Sequence, residues 1–116
     1  MSQLPELTSP IYSSLADDEM MCELVEEFVA EIPERVQSLR SAFADLDLDA
    51  VQRQAHQLKG AFGSYGFSTM TEPARQLERS ATEARHDLDQ IKGDLETLAN
   101  YCARLTAEPA PEADLA

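Results

Sequence analysis

The chain of 116 residues has no tryptophan, and three tyrosines and four phenylalanines make up all its aromatic residues. Basic residues are also scarce: nine Lys and Arg stand against 22 Asp and Glu, a formal charge of −13. So acidic a chain repels nucleic acid and anionic membrane surfaces, which excludes both as expected partners. There are only two cysteines, Cys22 and Cys102. They share no motif, so no disulfide is signalled, and reduced thiols in a cytosolic protein are expected. No run approaches the roughly 18 apolar residues of a membrane-spanning helix. The first residues, MSQLPELTSP, have neither the basic nor the apolar region of a secretory signal. A cytoplasmic chain is expected, and the starting Met and the tail suggest a free-standing one. No segment shows the period-two alternation of a strand, and there is no internal repeat.

What is present is helical periodicity. Residues 1–14, with Pro5 and Pro10, read as an extended lead-in on which Ile11 and Tyr12 can pack. Asp17 and Asp18 are suited to cap a helix start. Met20, Met21, Leu24, Val25, Phe28, Val29 and Ile32 then form a broad apolar stripe at helical spacing. Pro33 either starts a new helix or kinks a long one. Val36, Leu39, Phe43 and Leu46 continue the rhythm, and Asp47 or Asp49 can cap the next helix. That helix carries a near-heptad seam of Leu48, Val51, Ala55, Leu58, Phe62 and Tyr65, with Gly66 where a glycine C-cap belongs. A further segment carries Met70, Ala74, Leu77, Ala81 and Ala84, and a last one Leu88, Ile91, Leu95, Leu98, Tyr101 or Cys102, and Leu105. Between them lies a break at Arg85–Asp87. The pattern predicts an all-α fold: an up-down-up-down four-helix bundle over residues 15–106, with an additional N-terminal helix before Pro33. The Pro-, Ala- and acid-rich residues 107–116 read as a disordered tail.

The stretch AHQLKGAFGSYGF, Ala55 to Phe67, holds one of two histidines and three of four glycines. At about 100° per residue, His56 falls roughly 120° from the helix seam, on the rim of the exposed face. Gly60 and Gly63 follow on the outward side at successive turns, flanked nearer the seam by Gln52 and Lys59. Each interior glycine costs about 0.5–1 kcal/mol relative to alanine. Two on the histidine's own face indicate that another body approaches there. Lys59, at i+3, projects beside the imidazole and can pair with phosphoryl oxygens. Glu78, on the following helix, can border the same groove; accepting Nδ1–H would fix the tautomer and leave Nε2 as nucleophile.

His56-Gln-Leu58-Lys59-Gly60-Ala61, followed by Gly63 and Gly66-Phe67, resembles the core motif of the histidine-containing phosphotransfer (HPt) domain family, H-x-L-K-G-[SA] with later small residues and a Gly-apolar pair. The resemblance spans about Ile11 to Leu105. It implies a four-helix bundle with an exposed phosphoacceptor, His56, modified at Nε2. Lys59 would steady the phosphoryl group, and Gly60 would leave room for the partner. The run KGAFGSYGF, and a glutamate at position 78, are similar to the phosphotransfer domains of chemotaxis-type histidine kinases.

The glycines of GAFGSYG lack the strand and the Lys-Ser/Thr of a P-loop, so no ATP site is signalled and the chain is expected to be a phosphocarrier without kinase activity. Expected partners are response-regulator receiver domains and a sensor histidine kinase, docking over Gln52, Gly60, Gly63 and Arg75, with Arg53 and Arg79 also edging the surface. No intrinsic cofactor or metal is expected; Mg²⁺ belongs to the receiver, and a monomer is the default. Two alternatives stand beside this: a helical interaction module that has lost transfer, and a metal-binding bundle using His56, His86, Glu78 and a cysteine.

Overall fold

The computed structural model describes residues 9–111. Their order is β1 (Ile11–Tyr12), α1 (Cys22–Ala44), α2 (Leu48–Ser64), a 3-10 turn (Ser68–Met70), α3 (Thr71–Glu83), α4 (Leu88–Cys102) and β2 (Leu105–Thr106). The four helices pack as an all-helical bundle around Phe62, Phe67, Leu39, Leu58, Met70, Leu77, Ile91, Leu95 and Leu98, all essentially inaccessible to solvent. None is long and apolar enough to cross a membrane.

The separate helix expected before Pro33 is instead the first part of α1, which runs unbroken for 23 residues with Pro33 inside it. Proline cannot donate to the Val29 carbonyl, a defect of about 3 kcal/mol in a helix interior. Val25, Phe28, Ile32, Val36 and Leu39 are buried in one stripe on both sides of it. Pro33 itself lies on the exposed side. Packing along one continuous face therefore holds the helix together through the proline. Regular helix begins at Cys22 rather than beside Asp17. The preceding turn is nonetheless organised by Asp18, whose Oδ1 accepts from the Met20 and Met21 amides at 2.8 and 3.2 Å.

The sequence shows no strand alternation, yet β1 and β2 form a parallel two-residue pair, Ile11 beside Leu105 and Tyr12 beside Thr106. A pair this short leaves no periodic signal. It follows that α4 ends at Cys102, before the Leu105 expected in it. Residues 1–8 of the lead-in and 112–116 of the tail lie outside the described residues, while Ala107 packs against the core. Cys22 and Cys102 are free thiols. Burial pushes the Cys102 thiol up to about 12, so it stays protonated and unreactive.

The helix that carries His56 is fixed at both ends. At its start, Asp47 accepts from the Ala50 amide at 3.1 Å. At its end, the Phe67 amide donates to the Phe62 carbonyl at 2.8 Å and the Gly66 amide to Gly63 at 3.4 Å, a Schellman turn. Gly66 takes the left-handed φ of 85° this turn requires. It is also crowded: a Cβ there would collide with Ser13 Oγ. That hydroxyl donates to the Tyr65 carbonyl at 2.6 Å, and the Ser14 amide donates to the Gly66 carbonyl at 2.9 Å. Phe28 of α1 completes the anchor, stacked on Tyr65 at 4.5 Å and edge-on to Phe62 at 5.8 Å.

Candidate functional site

His56 stands on the outer part of α2 with its side chain 65% exposed. Burial of Val51, Ala55, Leu58 and Phe62 turns the opposite face of the helix inward. The imidazole is held from one side only. Its Nδ1 lies 2.9 Å from Glu78 Oε2, across the seam between α2 and α3. An ionised carboxylate only accepts, so Nδ1 carries the hydrogen, and in the neutral ring the lone pair is on Nε2.

Glu78 is doubly engaged. Its other oxygen, Oε1, lies 2.7 Å from Lys59 Nζ. The Lys59 ammonium holds the Glu78 carboxyl below the usual glutamate range, and with a lesser contribution from the His56 hydrogen bond it outweighs the desolvation that would raise it. Lys59 is half-buried along its length and meets the carboxylate before it meets solvent. Sequence alone placed this cation beside the imidazole; its partner across the seam depends on how α3 packs and has no local signal.

Beside the imidazole, Asp49, Gln52, Arg53, His56 and Glu78 line a groove of about 490 Å³. Arg85, just beyond the end of α3, spans its rim: it pairs with Asp49 and lies 3.3 Å from Gln52 Oε1. Neither Asp49 nor Arg85 was legible as a site residue, because Arg85 sits beyond the last turn of α3 where periodicity gives no direction. Gln52 lines the groove but is thus already occupied. Arg75 is not in the groove; it pairs with Glu72 on its own helix. Gly60 and Gly63 lie one and two turns beyond His56, and among the described residues a Cβ at either would meet no neighbouring atom within 4 Å. No helix of the bundle packs over them, so internal packing does not account for these glycines. Among the described residues, no group of three or more His, Cys, Asp or Glu side chains gathers in metal-binding geometry.

A helical bundle that exposes the His56 imidazole, orients it by a carboxylate and leaves the surface beyond it bare defines a histidine-presenting module. The chain belongs to the Hpt domain family, whose pattern matches residues 23–108. It is similar to the chemotaxis protein CheA of Halobacterium salinarum, with 33% identity over 82 residues, covering 64% of this chain and 12% of that protein. The chain therefore spans a small part of that relative's length. No solved structure matches it.

Proposed function

We propose that the chain is a phosphorelay carrier in which His56 accepts a phosphoryl group from a receiver aspartyl-phosphate, or from a histidine kinase, and passes it to a response-regulator aspartate. The observation that carries this reading is the contact of His56 Nδ1 with Glu78 Oε2 at 2.9 Å on a largely exposed imidazole. Nε2 attacks phosphorus in line, the bond from phosphorus to the aspartyl oxygen breaks, and its electron pair leaves with the carboxylate. The Nδ1 proton stays on the ring, donated to Glu78, which faces the positive charge that develops there. Lys59 Nζ, next to the same carboxylate, neutralises charge on the phosphoryl oxygens. Phosphoryl transfer is chiefly positioning and charge neutralisation, so a nucleophile with few helpers suffices when the partner brings Mg²⁺ and its own acidic site. Gly60 and Gly63 give the incoming domain room to reach Nε2.

Incubation with a phosphorylated receiver and Mg²⁺ tests the assignment. The chain should acquire an acid-labile phosphoryl group, and His56→Gln should acquire none. Labelling that persists in the variant overturns the role of His56. An unlabelled wild-type chain would leave a helical interaction module without transfer. Gly60→Arg separates docking from folding. It adds a side chain where a Cβ meets nothing and should gain about 0.5–1 kcal/mol of helix stability, since glycine is the poorer helix former. Receiver-dependent labelling should nonetheless fall by more than about tenfold, the loss expected when reacting groups are held apart.

A further inference from the structure

Deepening the reading above, on whose phosphoryl chemistry it rests, we propose that Arg53 grips the phosphoryl group once it is on His56. Side chains on a helix lean toward its N-terminus, so the imidazole of His56 tips over the preceding turn, which carries Gln52 and Arg53. The groove beside it opens on that same side and has Arg53 in its wall. A dianionic phosphoryl group on Nε2 enters a space bordered by this guanidinium.

The cations of the molecule differ in what already holds them. Arg35, Arg40, Lys59, Arg75 and Arg85 are each in an ion pair with a carboxylate. Arg104 donates to the Ser9 carbonyl at 2.7 Å. Arg53 makes no side-chain hydrogen bond or ion pair among the described residues, as is true also of Arg79 and Lys92, neither of which lines the groove. The two carboxylates that line its groove are both taken, Asp49 by Arg85 and Glu78 by Lys59 and His56. No Asp or Glu occurs between positions 50 and 71, although the whole chain has 22. Arg53 therefore meets an arriving anion with no carboxylate already bonded to its guanidinium.

Lys59 is not equivalent. Its ammonium already neutralises Glu78 at 2.7 Å, and turning fully to the phosphoryl group would strip that carboxylate of its cation. Arg53 has no such commitment, and its planar fork can donate two parallel hydrogen bonds to phosphoryl oxygens. It also borders a second groove, of about 620 Å³, between α1 and α2 with Arg35 and Tyr65. Without phosphate it lies between the two spaces, and phosphorylation draws it to the first. The grip moves no proton and breaks no bond.

The test follows the Arg53 Nε–H resonance in the full chain by NMR while His56 is phosphorylated with phosphoramidate, a small donor that needs no docking surface. The resonance should move downfield as phosphohistidine forms. Hydrolysis of the phosphohistidine should be about threefold to fivefold faster in Arg53→Gln, the range an exposed charge pair supplies. Arg53→Lys should recover part of that loss, and Lys92→Gln, an equal change of charge on α4, should match the wild type. A wild-type chain that is phosphorylated while the Arg53 signal stays still, with Arg53→Gln hydrolysing at the wild-type rate, overturns the grip alone. A wild-type chain that takes no phosphoryl group from phosphoramidate or from a phosphorylated receiver overturns both the carrier reading and the grip.

Discussion

Helix α3 is held from two sides by a carboxylate in each seam, and the two seams are built from opposite materials. Toward α2, Glu78 accepts from an imidazole and an ammonium, at 2.9 and 2.7 Å, on the wall of an open groove. Toward α4, Asp94 accepts from neutral donors only: Oγ of the buried Ser80, and the amides of Gln90 at 3.0 Å and Gln76 at 3.4 Å. Neutral donors have no charge of their own to give up, so the Asp94 cluster is a fixed lock between helices. The partners of Glu78 carry or can acquire charge, so this seam responds to charge placed in the groove beside it. One face of α3 holds the bundle together, and the other is available for chemistry.

The largest expected effect comes from removing the lock. Asp94→Ala strands the hydroxyl of Ser80, which is 3% exposed, and should cost about 1–3 kcal/mol of stability by urea or thermal unfolding. Phosphoryl acceptance per folded molecule should stay near wild type. A large loss of transfer with unchanged stability would erase the distinction between the seams. Glu78→Gln is expected to do the reverse. Stability should change by less than about 1 kcal/mol, as for other solvent-accessible ion pairs. Labelling of His56 should slow by about tenfold, the lower end of what losing an orienting partner costs, and ¹⁵N shifts should show the imidazole redistributing between tautomers.

The smallest effect is in acid. Because the carboxyl of Glu78 titrates below its usual range in the folded chain, its contribution is complete above that range and is lost as pH falls through the folded value. Glu96, held down by Arg40, adds a contribution of the same sign. Between about pH 5 and 3, where unperturbed carboxylates titrate, Glu78→Gln should therefore lose stability less steeply than the wild type. Parallel curves would show that the Lys59 and His56 contacts contribute nothing to folding.

The two seams also differ in how far they could be read from sequence. The seam of α2, and the outward direction of His56, Gly60 and Gly63, follow from spacing alone, because burial repeats every three or four residues. The all-helical bundle follows in the same way. Ser80 was not distinguishable from a surface serine, since its burial depends on Asp94, 14 positions away. The pairing of Lys59 with Glu78, and of Arg85 with Asp49, likewise depends on the lateral approach of two helices, about which a one-dimensional period carries no information. At Pro33 the local signal was ambiguous, and the continuous buried stripe decides it. The pair β1–β2 was too short to leave any pattern.

That short pair brings together parts of the chain nearly a hundred residues apart. Ser9 and Arg104 are hydrogen-bonded, and Ile11 lies beside Leu105. The described fold is thus almost a closed ring, and the break in the ring need not be where it is. Because the pair is parallel, a crossover linker of about a dozen residues from β2 back to β1 would allow it to be opened instead at the exposed turn around Leu46, which takes a left-handed φ of 57° between α1 and α2. Such a permutant would keep the two carboxylate seams while placing its new ends at the turn that leads into the histidine helix.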